Sequence, residues 1–82
     1  MQFYQFLLDT ATQIRYTLKS NSRVFLSIYN LIGREVAVLV NGVQNAGEHE
    51  VTFSGAGMPS GVYYYRLAMG NETITKKMVL LQ

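Results

Sequence analysis

Short runs rich in Val, Ile, Tyr, Phe and Thr recur about every ten to twelve residues along this chain, separated by clusters that contain Gly, Asn and Pro. Residues of the first kind favour strands, and the clusters between them favour turns. The period of an amphipathic helix is almost absent, so no helix is available to cover a sheet. The sequence therefore predicts an all-β chain whose sheets pack against one another.

The most apolar run, 23–30, is predicted to be a central strand because both of its faces are largely apolar. A turn over 30–34 follows, in which Gly33 is expected to take a positive φ. A second strand over 35–41 completes a hairpin. Alternation places Val24, Leu26 and Ile28 on one face of the first strand, and it places Phe25, Ser27 and Tyr29 on the other.

The remaining strands alternate apolar and polar side chains, as half-buried strands do. They are predicted over 12–18, 48–53, 61–69 and 72–81. A loop is expected over 41–47, and the glycine-rich segment 54–61, which holds Pro59, is expected to have no regular structure. In the last strand Lys76 shares the inward face with apolar residues, so we expect a bulge or a sheet edge there.

The segment Met58–Tyr63 has the residue order of a tyrosine corner: an apolar residue, a turn, and then a tyrosine on an inward face. In that motif the tyrosine hydroxyl returns to the backbone a few residues upstream. Alternation places Arg66 on the opposite face, toward water, which directs Tyr63 and Tyr65 to the core. We therefore predict that Tyr63 is a determinant of the fold.

Strands of this number without a helix fit best in two packed antiparallel sheets. The predicted fold is an all-β, immunoglobulin-like antiparallel β-sandwich of about seven strands, and a five-stranded barrel is the main alternative. The 82 residues can hold one small domain and little else. We assign 12–82 to this immunoglobulin-like domain and 1–11 to an N-terminal apolar arm or a first edge strand.

Residues able to carry catalysis are few: the chain has one His, no Cys and five acidic residues. His49 stands between two glutamates that point to the other side of its strand, and no nucleophile has an evident base. We predict no enzyme activity, no metal site and no cofactor. A net charge of +2 without a polybasic tract argues against nucleic acid as a partner, and no small-molecule substrate is expected.

Five blocks of the sequence carry a family resemblance. They are Ile14–Tyr16, Ile28–Val40, Ala46–Val51, Pro59–Leu67 and Lys76–Leu81. In this order they resemble the type A C-terminal sorting domain of the type IX secretion system, and the related immunoglobulin-like domain of the flagellar hook-capping protein. The resemblance extends from Thr12 to Gln82.

The resemblance implies a non-enzymatic module that directs a cargo protein across the outer membrane, for attachment to the cell surface or for release. Its partner would be the outer-membrane secretion machinery. The protein would be extracellular or on the surface of a Gram-negative bacterium, after a transient stay in the periplasm. The family pattern marks the Gly33 turn, the tyrosine corner and the last strand as recognised features. They comprise Gly33, Ser60, Gly61, Val62, Tyr63, Lys76, Lys77, Met78, Val79, Leu80 and Leu81.

The N-terminal segment departs from the family, whose members usually carry an Asn-Pro-Phe-Asn-Pro-Ser-like loop where this chain has 6–11. Without prolines, 1–8 is an apolar arm able to add a strand to a neighbour's sheet. The residues available for this are Phe3, Tyr4, Phe6, Leu7 and Leu8. An alternative function is therefore left open: a free-standing extracellular subunit that assembles with identical subunits into a filament or oligomer through this arm.

Overall fold

The computed structural model describes residues 4–7 and 11–81. These residues form seven strands and no helix. The strands are β1 (Tyr4–Leu7), β2 (Ala11–Leu18), β3 (Ser22–Asn30), β4 (Glu35–Gln44), β5 (Gly47–Ser54), β6 (Gly61–Met69) and β7 (Glu72–Leu80). The all-β prediction is confirmed.

The strands form two sheets. A five-stranded sheet has the order β1-β7-β6-β3-β4, and a two-stranded sheet pairs β2 with β5. Pairings among β2 to β7 are antiparallel, whereas β1 joins the edge of β7 in parallel. The long chain between β1 and β7 permits this parallel pair, which a short hairpin could not form. The predicted antiparallel sandwich is confirmed with this exception, and the alternative of one closed barrel is wrong, because β2 and β5 form a separate layer.

The core lies between the two layers. β3 contributes Val24, Leu26 and Ile28, each 0% exposed, and these are the three side chains that alternation placed together on one face. The inward directions predicted for Tyr63 and Tyr65 are also confirmed. The remaining core side chains come from both sheets, and they are Ile14, Tyr16, Leu18, Phe53, Leu67, Met78 and Leu80.

The β3–β4 hairpin is irregular. Its register shifts at two points, and at the first of them, between Leu26 and Ser27, β4 has the extra residue Leu39. A bulge of this kind breaks the alternation of the strand that carries it. As a result Leu39 and Val40, which are neighbours in sequence, both pack against the core.

β4 is longer than the sequence predicted. It continues through Asn41 and Gly42, which pair with the first half of β3, so the loop expected over 41–47 is wrong. The extension gives hydrogen-bond partners to backbone groups of β3 that a loop would leave unpaired. Only two residues then separate β4 from β5. Ala46 N donates to Asn21 Oδ1 at 2.8 Å, which fastens this short connection.

Candidate functional site

The predicted tyrosine corner is present at the start of β6. Tyr63 is buried, and its Oη donates a hydrogen bond of 2.8 Å to the carbonyl oxygen of Pro59. The bond ties the irregular segment 55–60 to the five-stranded sheet. Ser60 is exposed, whereas Val62 is half-buried on the face of β6 opposite to that of Tyr63. The corner therefore fixes a stretch of backbone and does not present the tyrosine itself to a partner.

The β3–β4 turn is organised by Asn30. Gly33 N donates to the carbonyl oxygen of Asn30 at 3.0 Å, and Asn30 N donates to the carbonyl oxygen of Arg34 at 2.9 Å. Arg34 N also donates to Asn30 Oδ1 at 2.9 Å. Gly33 has a φ of +84°, in the left-handed region that was predicted for it. The turn leaves Leu31 67% and Ile32 81% exposed, so two large apolar side chains project beside Gly33.

The two halves of the last strand, β7, differ in exposure and in strand pairing. Its first half, 72–76, is exposed, and among the described strands only β6 pairs with it there. Its second half pairs with β6 on one side and with β1 on the other. Met78 and Leu80 are 0% exposed and anchor this half in the core. Lys77 and Val79 are half-buried on the opposite, outer face.

Lys76 lies at the exposed end of the first half of β7. We expected a bulge or a sheet edge at Lys76, and the structure has the edge, because the pairing of β6 with β7 shows no register shift. Ile74, on the same face, is also partly exposed, at 37%. Lys76 therefore reaches water without a change of register. Leu81, after the strand, is 43% exposed.

The N-terminal arm is described at β1, which pairs in parallel with 77–80 of the same chain. The described part of the arm is thus an edge strand of its own sheet. Phe3 and Leu8 lie outside the described residues. The other three predicted arm residues lie in β1, and they are Tyr4, Phe6 and Leu7.

The strand register brings the three predicted features to one end of the five-stranded sheet. Asn30, at the base of the β3–β4 turn, is opposite Tyr63 of the corner. Tyr63 is in turn opposite Met78 of β7, and Gly61 is opposite Leu80. Residues that are separated by tens of positions in the sequence are therefore neighbours across three adjacent strands.

The outer face of the same sheet, the face turned away from the core, carries a groove that sequence reasoning missed. It has a volume of about 390 Å³ and lies between the β3–β4 turn and β7. Alternation had placed Arg66 toward water, which was the signal available, but the strand order that makes Tyr29, Tyr64 and Arg66 neighbours cannot be read from alternation. The described lining residues are Tyr29, Asn30, Leu31, Gly33, Tyr64, Arg66, Thr73 and Thr75.

The single histidine is held by structural contacts. The His49 ring stacks on the Tyr16 ring with centroids 5.4 Å apart, and His49 Nε2 is 2.7 Å from the carbonyl oxygen of Asn45. Burial raises the pKa of Tyr16, against the lowering effect of its hydrogen bond to Gln44, so its hydroxyl stays protonated at neutral pH. Within the described residues no group of His, Cys, Asp and Glu could hold a metal ion. In the same part of the chain, no helix is long and apolar enough to cross a membrane.

Comparison with known families identifies the class of protein that this sandwich represents. The sequence matches the family described as the secretion system C-terminal sorting domain over residues 10–81. The chain therefore belongs to this family of type IX sorting signals, as the resemblance implied, and such a signal marks a secreted protein.

Among solved structures, the chain is similar to the Ig1 domain of mouse SynCAM 2. The two share 12% sequence identity, with a TM-score of 0.48, over 94% of this chain and 88% of that one. A comparison with curated proteins gives no match.

Proposed function

We propose that this chain is a sorting module that directs an attached cargo protein through the outer membrane by the type IX route, for attachment to the cell surface or for release. The observation that carries the proposal is the family membership over residues 10–81. The module passes through the periplasm of a Gram-negative bacterium, and its partner is the outer-membrane secretion machinery. It acts by being bound, since the family is of a non-catalytic kind.

The convergence of the predicted features at one end of the five-stranded sheet supports this proposal. A receptor that contacts the β3–β4 turn is at that end also close to the corner and to the second half of β7. Hydrogen bonds hold the backbone there, those of Asn30 in the turn and that of the Tyr63 hydroxyl at the corner. A surface that is already ordered loses less conformational entropy when it is bound.

The exposed first half of β7 offers a second means of recognition. In this proposal a strand of the receptor is added at the outer edge of 72–76, with which no described strand pairs. Lys76 places a cation at this edge. Strand addition supplies affinity through the backbone, and the cation supplies a preference for acidic partners.

The alternative function, self-assembly through the N-terminal arm, has no observation in its favour. The described part of the arm pairs with β7 of its own chain, which occupies the edge that it would need to share with a neighbour. A solution mass that stays monomeric over a concentration series is the result expected of the sorting module.

The test is an export assay. Residues 1–82 are fused to the C-terminus of a reporter that carries a signal peptide, and the fusion is expressed in a host with a type IX system. We expect the reporter at the cell surface or in the medium. A folded fusion that stays in the periplasm would show that the proposal is wrong.

Deletion of the last strand is a poor variant for this assay, because it removes Met78 and Leu80 from the core. The variant Lys76→Gln/Lys77→Gln keeps the strand and removes two charges, and Lys19→Gln/Arg23→Gln is the matched control, with the same charge change outside β7. We expect the first variant to be exported less than wild type and the control to be exported normally. Equal export of both would leave the lysines without a role in sorting.

A further inference from the structure

The groove on the outer face of the five-stranded sheet has a chemistry of its own, which the family match does not assign. We propose that it is a docking site for a segment of the secretion receptor that carries an apolar side chain next to a carboxylate. This inference rests on the proposed function, because it names the chemistry of the partner that a sorting module binds.

The floor of the groove is aromatic. Tyr29 of β3 and Tyr64 of β6 are direct cross-strand neighbours, and both are half-buried. Ser27 Oγ donates to Tyr29 Oη at 3.0 Å, which restricts the position of that ring. Tyrosines that are already ordered offer contact area at a low cost in conformational entropy. Leu31, 67% exposed on the β3–β4 turn, forms an apolar wall beside them.

The charge in the groove is positive. Arg66 is exposed, and it is the one charged residue among the described residues that line the groove. No carboxylate lines the groove in the described part of the chain, so the guanidinium is available to a carboxylate of a partner. Thr73 and Thr75 of β7 add hydroxyl groups along the same wall. An apolar side chain over the tyrosines and an acid at Arg66 are therefore complementary to this surface.

The outer face of the other sheet lacks this complementarity. There, Arg15 Nε donates to Glu50 Oε2 at 2.7 Å, so its guanidinium already has a carboxylate. Glu48 is exposed on the same face, two positions from Glu50. An acidic segment would meet two carboxylates and one neutralised arginine on that side. The groove face also carries one carboxylate, because Glu35 pairs with Tyr29 across β3 and β4. Glu35 does not line the groove, however, so the groove itself favours an acidic partner.

The groove also lies next to the features that the family pattern marks. Gly33 is among its lining residues, and Thr73 and Thr75 belong to the half of β7 whose outer edge no described strand pairs. A receptor segment in the groove is therefore in position to continue along the exposed edge. One extended segment of a receptor could contact the turn, the aromatic floor and the last strand together.

The first test uses the export assay described above. Arg66→Glu places a carboxylate in the groove, and Lys19→Glu makes the same charge change in the loop between β2 and β3. We expect export to fall by about tenfold for the first and to change less than about twofold for the second, with both proteins folded by circular dichroism. If wild type is exported and Arg66→Glu is exported equally well, the groove proposal is overturned while the proposed function stands.

The second test does not depend on export. The isolated chain is titrated with a capped Leu-Asp-Glu-Leu peptide, and with the neutral Leu-Asn-Gln-Leu peptide as control, while amide chemical shifts are recorded by NMR. We expect shifts confined to the groove with the acidic peptide, weakened by salt, and absent in Arg66→Glu. Equal chemical-shift changes with both peptides would overturn the proposed chemistry. The absence of any change at the highest peptide concentration would overturn it too. A wild-type fusion that is not exported would instead overturn the proposed function, whichever peptide result is obtained.

Discussion

The two sheets of the sandwich resemble each other on their inner faces and differ on their outer faces. Both bury alternate apolar side chains in one core. Outside, the two-stranded sheet pairs Arg15 with Glu50, whereas the five-stranded sheet exposes Arg66 beside the half-buried Tyr29 and Tyr64. Folding requires the inner faces to be apolar but leaves the outer faces free to differ. The two outer faces therefore differ in the groups that each leaves exposed.

The largest expected change in stability tests whether the fold depends on packing of the two-stranded sheet against the five-stranded sheet. Phe53 of β5 is 2% exposed and packs in the core from that sheet. Phe53→Ala removes a large buried side chain and leaves a cavity, so we expect the free energy of unfolding to fall by about 3 to 5 kcal/mol. The midpoint of urea denaturation measures this, with the exposed neighbour Thr52→Ala as control. If Phe53→Ala loses no more stability than the control, the five-stranded sheet does not depend on packing against the two-stranded sheet.

The next largest change in stability is expected at Tyr63, and it distinguishes the inner face of β6 from its outer face. Tyr63→Phe leaves the carbonyl oxygen of Pro59 without its donor, and we expect a loss of stability of about 1 to 2 kcal/mol. Tyr64→Phe removes a hydroxyl from the outer face of the same strand and is the matched control, with little expected change in stability. The same denaturation measurement serves for both. If the two variants lose equal stability, the Tyr63 hydroxyl has no special structural role.

Alternation was sufficient to predict which residues share a face but not the groove. The period of two placed Val24, Leu26 and Ile28 together on one face of β3, and the structure buries that face in the core. The same reasoning placed Arg66 outward. It could not show that Tyr29 and Tyr64 are neighbours, because this depends on the pairing of β3 with β6, which are distant in sequence.

One other miss has a physical cause. The loop expected at Asn41 and Gly42 was inferred from turn-forming residue types, but pairing with β3 outweighed their local preference. The expectation of a bulge or a sheet edge at Lys76 is met by the edge, because β6 pairs with β7 without a register shift and no other described strand pairs with 72–76.

A smaller effect concerns the turn that borders the groove. A Cβ at Gly33 would meet no atom within 4 Å, so the cost of a substitution comes from φ alone. Gly33→Ala is expected to lower stability by about 1 kcal/mol, and Gly33→Asn by less, because Asn tolerates the left-handed region better. Thermal unfolding of the two variants checks this order. A larger loss for Asn than for Ala would indicate that side-chain contacts, and not φ, determine the residue at this position.

The smallest expected change in stability concerns the Arg15–Glu50 ion pair on the outer face of the two-stranded sheet. Arg15 and Glu50 have side chains 74% and 45% exposed, so solvent screens their ion pair. Exposed pairs of this kind contribute little, and we expect Arg15→Gln to change stability by less than about 0.5 kcal/mol. The difference from wild type should shrink further as sodium chloride is raised, since salt screens surface charges.

Arg66→Gln is the partner of this variant on the opposite face, with the same chemical change. Neither variant should unfold the domain, since both arginines are exposed. If the outer faces differ in function as we infer, Arg66→Gln reduces export of the reporter and Arg15→Gln does not. Equal export of the two variants would contradict a functional difference between the faces. The receptor would then not distinguish Arg15, which Glu50 already neutralises, from Arg66, which no carboxylate of the groove neutralises.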